Sequence, residues 1–202
     1  HKANKAMKVG FILRRILRPT AHLRKLESLR EFLSGRCRVE PSEFMEKVAI
    51  FVDVQNIYYT TKQIHKCHFD YNAFWAKATS NRKVVKAIAY AIDRGDEKQK
   101  QFQNILKGIG FELKLKPFIQ RSDGSAKGDW DVGITLDVME HANNTDVVVL
   151  ASGDGDFDLL LSKIRNDFGV SAEVYGVAQL TARSLINSAS KFMPIEGDLL
   201  LQ

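Results

Sequence analysis

Three short stretches of this chain concentrate aspartates in patterns suited to metal-assisted chemistry. Asp53 ends the apolar run Val48 to Val52, and Asp154, Asp156 and Asp158 follow at alternate positions after the run Val147 to Leu150. Asp129 and Asp131 stand behind the glycines Gly124 and Gly128. Like charges gathered closely repel, and each resists ionisation unless something positive lies between them. A divalent cation is the natural partner: Mg²⁺ or Mn²⁺ prefers carboxylate oxygen and water. Such an ion can activate a water, orient a phosphodiester and stabilise the leaving oxygen. Asp53, Asp131 and Asp154 are therefore the expected metal-binding set. Asp156 either joins them or caps the helix that begins near Phe157. For Asp158 and Asp137 a capping or turn-forming role serves as well as a ligand role, and Asp129 can equally be a helix cap.

These aspartates acquire meaning from the elements that must hold them. Residues 48–52, 84–92, 147–150 and 172–177 read as continuous apolar strands, 111–115 as a weaker alternating one, and 192–195 as a last edge strand. Helical patterns fall between them, over about 55–65, 71–79, 96–109, 129–142, 156–168 and 179–190. Strands apolar on both faces that alternate with helices predict an α/β fold, a parallel sheet with helices on both faces. In such sheets ligands bind beyond the carboxyl ends of the strands. Both Asp53 and Asp154 fall there.

Three segments resemble the NYN domain family, closest to its LabA-like branch. Phe51-Val52-Asp53-Val54-Gln55-Asn56 resembles that family's opening D-x-x-N, Lys127-Gly128-Asp129-Trp130-Asp131-Val132 its middle K-G-x-x-D-V, and Ser152-Gly153-Asp154-Gly155-Asp156-Phe157 its S-G-D-x-D-F. The likeness spans roughly residues 46–195. It implies a PIN-like fold and a metal-dependent ribonuclease site that holds Mg²⁺ or Mn²⁺ on Asp53, Asp131, Asp154 and Asp156. It also implies that Asn56 orients Asp53 or touches phosphate, that Ser152 shapes the turn presenting Asp154, and that Lys127 holds substrate phosphate. The expected products are a 5′-phosphate and a 3′-hydroxyl. Asp129 departs from the pattern, since the family often has an uncharged residue near there.

Charge divides the chain in two. Residues 1–47 hold twelve Lys/Arg against five Glu, whereas residues 48–202 hold eighteen Lys/Arg against nineteen Asp/Glu. Two domains are expected: a basic amphipathic helical arm and linker over 1–45, and the NYN/PIN-like domain over 46–202. The arm has three readings: packing on the domain or on a second copy, contact with RNA phosphates, or an organelle presequence. RNA is the expected partner, with a homodimer or a larger RNA–protein complex recruited through the arm as further options. Two cysteines cannot build a disulfide framework, so a reducing, cytoplasmic setting is expected, and no apolar run is long enough to span a bilayer. His65, Cys67 and His68 are too crowded on one segment to close a zinc tetrahedron and read as loop or helix-end residues. Tyr58, Tyr59, Phe74 and Trp75 read as core more readily than as base-stacking platforms.

Other chemistries fit less well. A non-catalytic module that binds RNA or a nucleotide is the main alternative. A haloacid-dehalogenase-type phosphatase needs a second aspartate where Gln55 stands. No G-x-x-x-x-G-K-[ST] loop occurs, and the turn from Val54 to Tyr58 lacks the glycines of a dinucleotide-binding fold.

Overall fold

The computed structural model describes residues 45–93, 95–117, 119–120, 126–127 and 129–201. Apart from Met45, the expected arm lies outside the described residues. In chain order the elements are β1 (Glu46–Asp53), α1 (Val54–His65), β2 (His68–Phe69), α2 (Tyr71–Thr79), β3 (Arg82–Asp93), α3 (Glu97–Ile109) and β4 (Glu112–Pro117). The short strands β5 (Ile119–Gln120) and β6 (Ala126–Lys127) follow, then α4 (Asp131–Ala142) and β7 (Val147–Ala151). The chain ends with α5 (Asp158–Phe168), β8 (Ser171–Gly176), α6 (Arg183–Ser188), β9 (Lys191–Pro194) and β10 (Leu200–Leu201).

Six strands form one sheet in the order β4-β3-β1-β7-β8-β9, and every neighbouring pair is parallel. At its centre Val48 sits in register between Val84 and Val147, and Val48 to Val52 are fully buried. That burial on both faces is why the run is continuous rather than alternating. The first half of β3 does alternate, because β4 pairs with it only from Ile88 onward. Helices α1, α2 and α3 supply Ile57, Phe74 and Leu106 to the core on one face. On the other, α4, α5 and α6 supply Ile134, Leu161 and Leu185. From β1 the chain winds outward to β4 under the first set of helices, then returns to β7 and winds outward under the second. The seam between β1 and β7 is therefore the switch point of the sheet, where a crevice opens beyond the strand ends.

Helix starts depart from the sequence reading where tertiary bonds intervene. Asp53, Asp70 and Asp96 cap α1, α2 and α3 through side-chain acceptors. Asp129 does not cap α4; Trp130 occupies that position without a side-chain cap bond. The helix expected from 156 begins at Asp158, after a 3₁₀ turn over Gly155–Phe157. The helix expected over 179–190 shrinks to Arg183–Ser188, since the Ala182 amide donates to the Gly153 carbonyl and ties this stretch to the loop after β7. Two antiparallel pairs, β2 with β10 and β5 with β6, are too short to leave a periodic signal.

The aromatic residues also divide. Phe74 is fully buried and Trp75 packs edge-on to Phe111 at 5.0 Å. Tyr58 and Tyr59 are instead 39% and 49% exposed, which corrects their assignment to the core.

Candidate functional site

The crevice at the switch point gathers aspartates from three elements. Asp53 ends β1, and its Oδ1 accepts the Asn56 amide at 3.0 Å, capping α1. Asp131 is the first residue of α4. Asp154 follows β7, and its Oδ1 accepts the Asp156 amide at 3.0 Å. Helix N-termini carry partial positive charge, which eases the placing of carboxylates at these starts.

The charges of these side chains act on one another. Burial, and after it the charges of Asp131 and Asp154, raises Asp53 to about 6, against the bonds from the Asn56 and Gln55 amides that favour its charged form. Asp131 is likewise raised, by burial first and then by Asp154, Asp129 and Asp156, with Lys116 opposing. Mutual repulsion of this kind is what a cation would relieve. Asp158 sits in the first turn of α5, where an acidic residue suits the helix dipole. Asp137 belongs to the core. It accepts from the Tyr90 hydroxyl at 2.5 Å and from the Lys114 ammonium at 2.8 Å.

Two polar side chains build the walls. Asn56 reaches across the seam, its Oδ1 accepting the Gly153 amide at 2.9 Å. Ser152 is fully buried, and its Oγ accepts the Asp154 amide at 3.2 Å in the turn after β7. Gly153 must be glycine: a Cβ there would stand 2.9 Å from the Leu180 carbonyl oxygen. The backbone of Lys127 lies in β6, paired with Ile119, and its side chain lies outside the described residues.

Sequence reasoning missed Lys116 and Trp130. The Lys116 ammonium donates to the Asp129 carbonyl at 2.6 Å and stands 4.3 Å from the Trp130 ring centre. Trp130 in turn donates through Nε1 to the Ala91 carbonyl at 3.0 Å, fixing the approach to α4. The alternation Glu112-Leu113-Lys114-Leu115-Lys116 held a signal, since it sets both lysines on one face of β4.

Among the described residues, no group of three or more His, Cys, Asp or Glu is close enough to hold a metal ion as it stands. The donors are nevertheless all carboxylate oxygens, set at the end of β1, the start of α4 and the end of β7. That suits a small hard cation such as Mg²⁺, which keeps several of its waters and needs only one or two carboxylates directly.

A doubly wound sheet with aspartates at its switch point defines a class of α/β domains that bind ligand at their strand ends. Sequence comparison narrows the class. The family model of the NYN domain matches residues 47–196, and the chain belongs to that family of PIN-like nuclease domains. Its LabA-like character is supported by similarity to the low amplitude and bright protein LabA of Synechococcus elongatus, 26% identical over 162 residues, covering 74% of this chain and 83% of that protein. It is also similar to the crystal structure of a protein of unknown function from Vibrio parahaemolyticus RIMD 2210633. That match has 53% identity and a TM-score of 0.76, and covers 81% of this chain and all of the other. No helix among the described residues is long and apolar enough to cross a membrane.

Proposed function

We propose that the protein is a ribonuclease that depends on Mg²⁺ or Mn²⁺ and hydrolyses phosphodiester bonds at the β1/β7 seam. The observation that carries this reading is the placement of Asp53, Asp131 and Asp154, three carboxylates from distant segments, at the end of β1, the start of α4 and the end of β7 beside the switch point of the sheet. Asp53, Asp131 and Asp154 would hold the cation, with Asp156 assisting from its exposed position beside them. When bound, the cation supplies a nucleophilic water and neutralises charge on the attacking and leaving oxygens.

The chain's own groups do the positioning. Asp53 is held by the α1 cap, and Asp154 by Ser152 on one side and the Asp156 amide on the other. Asn56 locks the two strand ends together, so the carboxylates of β1 and β7 keep a common frame. Lys116 adds a positive charge at the rim, where a phosphate would approach. Lys127 is proposed as a further phosphate contact from the stretch that leads into α4.

The test is cleavage of a panel of labelled RNAs in Mn²⁺, Mg²⁺ or EDTA, beside Asp154→Asn. Product bearing 5′-phosphate, formed only with metal and reduced at least about a hundredfold in the variant, is the expected outcome. Full activity in Asp154→Asn, or activity in EDTA, defeats the assignment. The spread of the carboxylates favours one competitor, a domain that holds RNA without cutting it. That reading gains if RNA is bound but no metal yields product.

A further inference from the structure

Next to the aspartates lies a second feature that the proposed chemistry leaves unused. A cavity of about 580 Å³ opens between α1, the start and middle of α3, the C-terminal end of β3 and the β2/β10 pair. Its volume is in the range of pockets that take small molecules. It begins where the carboxylate site ends, since Val54 and Gln55, which follow Asp53 in the chain, form part of its wall. Tyr71, at its floor, is pushed up by burial and then by the charge of Asp53, so the two sites are electrostatic neighbours.

The lining selects the ligand. Tyr58 and Tyr59 stand partly exposed on the outer wall, and Phe102 lies edge-on to Tyr71 at 5.4 Å within it. The Lys62 ammonium donates to the Tyr58 hydroxyl at 3.1 Å, which restrains that ring. The charged groups on the wall are Asp70, Asp96 and Lys98, and with the Lys62 ammonium beside Tyr58 they balance, so the lining offers an anion no net attraction. Both aspartates are committed to helix caps. Gln103 is only 7% exposed, and its Nε2 is buried with no hydrogen-bond partner. A buried amide group without a partner is costly, and a rotation of the Gln103 side chain toward the cavity it lines would let a ligand supply one. The pocket thus asks for a neutral, flat ring with hydrogen-bonding edges, attached to something anionic that stays outside.

We infer that this cavity is a nucleobase site, which seats one unstacked base of a single-stranded RNA while the adjoining phosphate lies at the aspartates. The inference rests on the nuclease reading for its choice of ligand. Bases stack on aromatic side chains with little regard to sequence, and the Gln103 amide adds an edge contact that distinguishes one base from another.

The experiment is equilibrium binding of short labelled single-stranded RNAs to the full chain in Ca²⁺, by fluorescence anisotropy. Each RNA is also made with an abasic nucleotide walked along it. Tyr58→Ala with Tyr59→Ala is expected to weaken binding at least about tenfold. One abasic position should weaken the wild type equally and leave the double variant unaffected. Gln103→Leu is expected to change the order of preference among adenine, cytosine, guanine and uracil homopolymers. Unaltered affinity in the tyrosine variant, with its circular dichroism native, overturns the base site, and Asp154-dependent cleavage in the same preparation would leave the nuclease reading standing. Abasic-sensitive, tyrosine-dependent binding without cleavage in any metal overturns the nuclease reading and keeps the base site. Loss of self-association rather than of RNA affinity would assign the cavity to a second copy of the chain and overturn the proposal.

Discussion

Burial and the neighbouring carboxylates hold Asp53 at about 6, against 3.8 for the free side chain. The metal-free fold therefore favours the protonated form. Its contribution to stability is fully present below pH 3.8 and is lost as pH rises through about 6. Asp53→Asn removes the charge while keeping a residue that caps helices as well as Asp does. At pH 7.5 in EDTA the variant is expected to be more stable than the wild type by up to about 3 kcal/mol, and the gain should vanish near pH 4. Urea unfolding across that range checks both halves of the statement; a gain independent of pH would remove the electrostatic explanation. Mg²⁺ should then raise the Tm of the wild type and not of Asp53→Asn, because an ion that binds only the folded chain stabilises it by mass action. Equal shifts in both proteins would exclude Asp53 as a ligand.

At the scale of elements, Asp137 shows how a buried aspartate can belong to packing. It joins α4 to β3 through Tyr90 and to β4 through Lys114. Asp137→Ala leaves the Tyr90 hydroxyl, raised by burial and by this bond, without its acceptor. A loss of about 2–3 kcal/mol is expected in urea unfolding, with the Mg²⁺-induced Tm shift retained. Disappearance of that shift would place Asp137 in the metal site. Much of this architecture was legible in the sequence. Val48 to Val52 and Val147 to Leu150 are long enough and apolar enough to require burial on both faces, and the alternation of such runs with helical patterns requires crossovers. The aspartates were legible because each directly follows, or shortly precedes, a strongly patterned element. What was not legible depended on contacts remote in sequence. The shortening of α6 comes from the Gly153 carbonyl, and the position of Lys116 from an α4 that begins at Asp131 rather than at Asp129. The exposure of Tyr58 and Tyr59 follows from which side of α1 meets the sheet. Val54, Ile57 and Thr61, at helical spacing, form that side and turn the two tyrosines away from it.

Across the whole molecule, the net positive charge is concentrated at one end of the chain. Residues 1–47 hold twelve Lys/Arg against five Glu, and the remainder is close to neutral. Removing residues 1–44 is expected to spare Asp154-dependent cleavage while weakening RNA binding and flattening its dependence on salt, since fewer counterions are released per complex. Titrations over a range of KCl concentrations give the slope, and an unchanged slope would separate the arm from RNA contact. The sheet order has a further consequence. One flank, from β1 to β4, and the other, from β7 to β9, are built from separate halves of the chain, and they meet at the β1/β7 seam. Asn56 bridges them to Gly153 across 97 positions of sequence. The amide proton of Gly153 is thus shielded by a side chain from the opposite half, and it can exchange with solvent deuterium only when that bridge opens. If it exchanges as slowly as the amides of β1, the two halves separate only in global unfolding. If it exchanges faster, the seam breathes on its own, and this single proton becomes a clock for how often the two halves part.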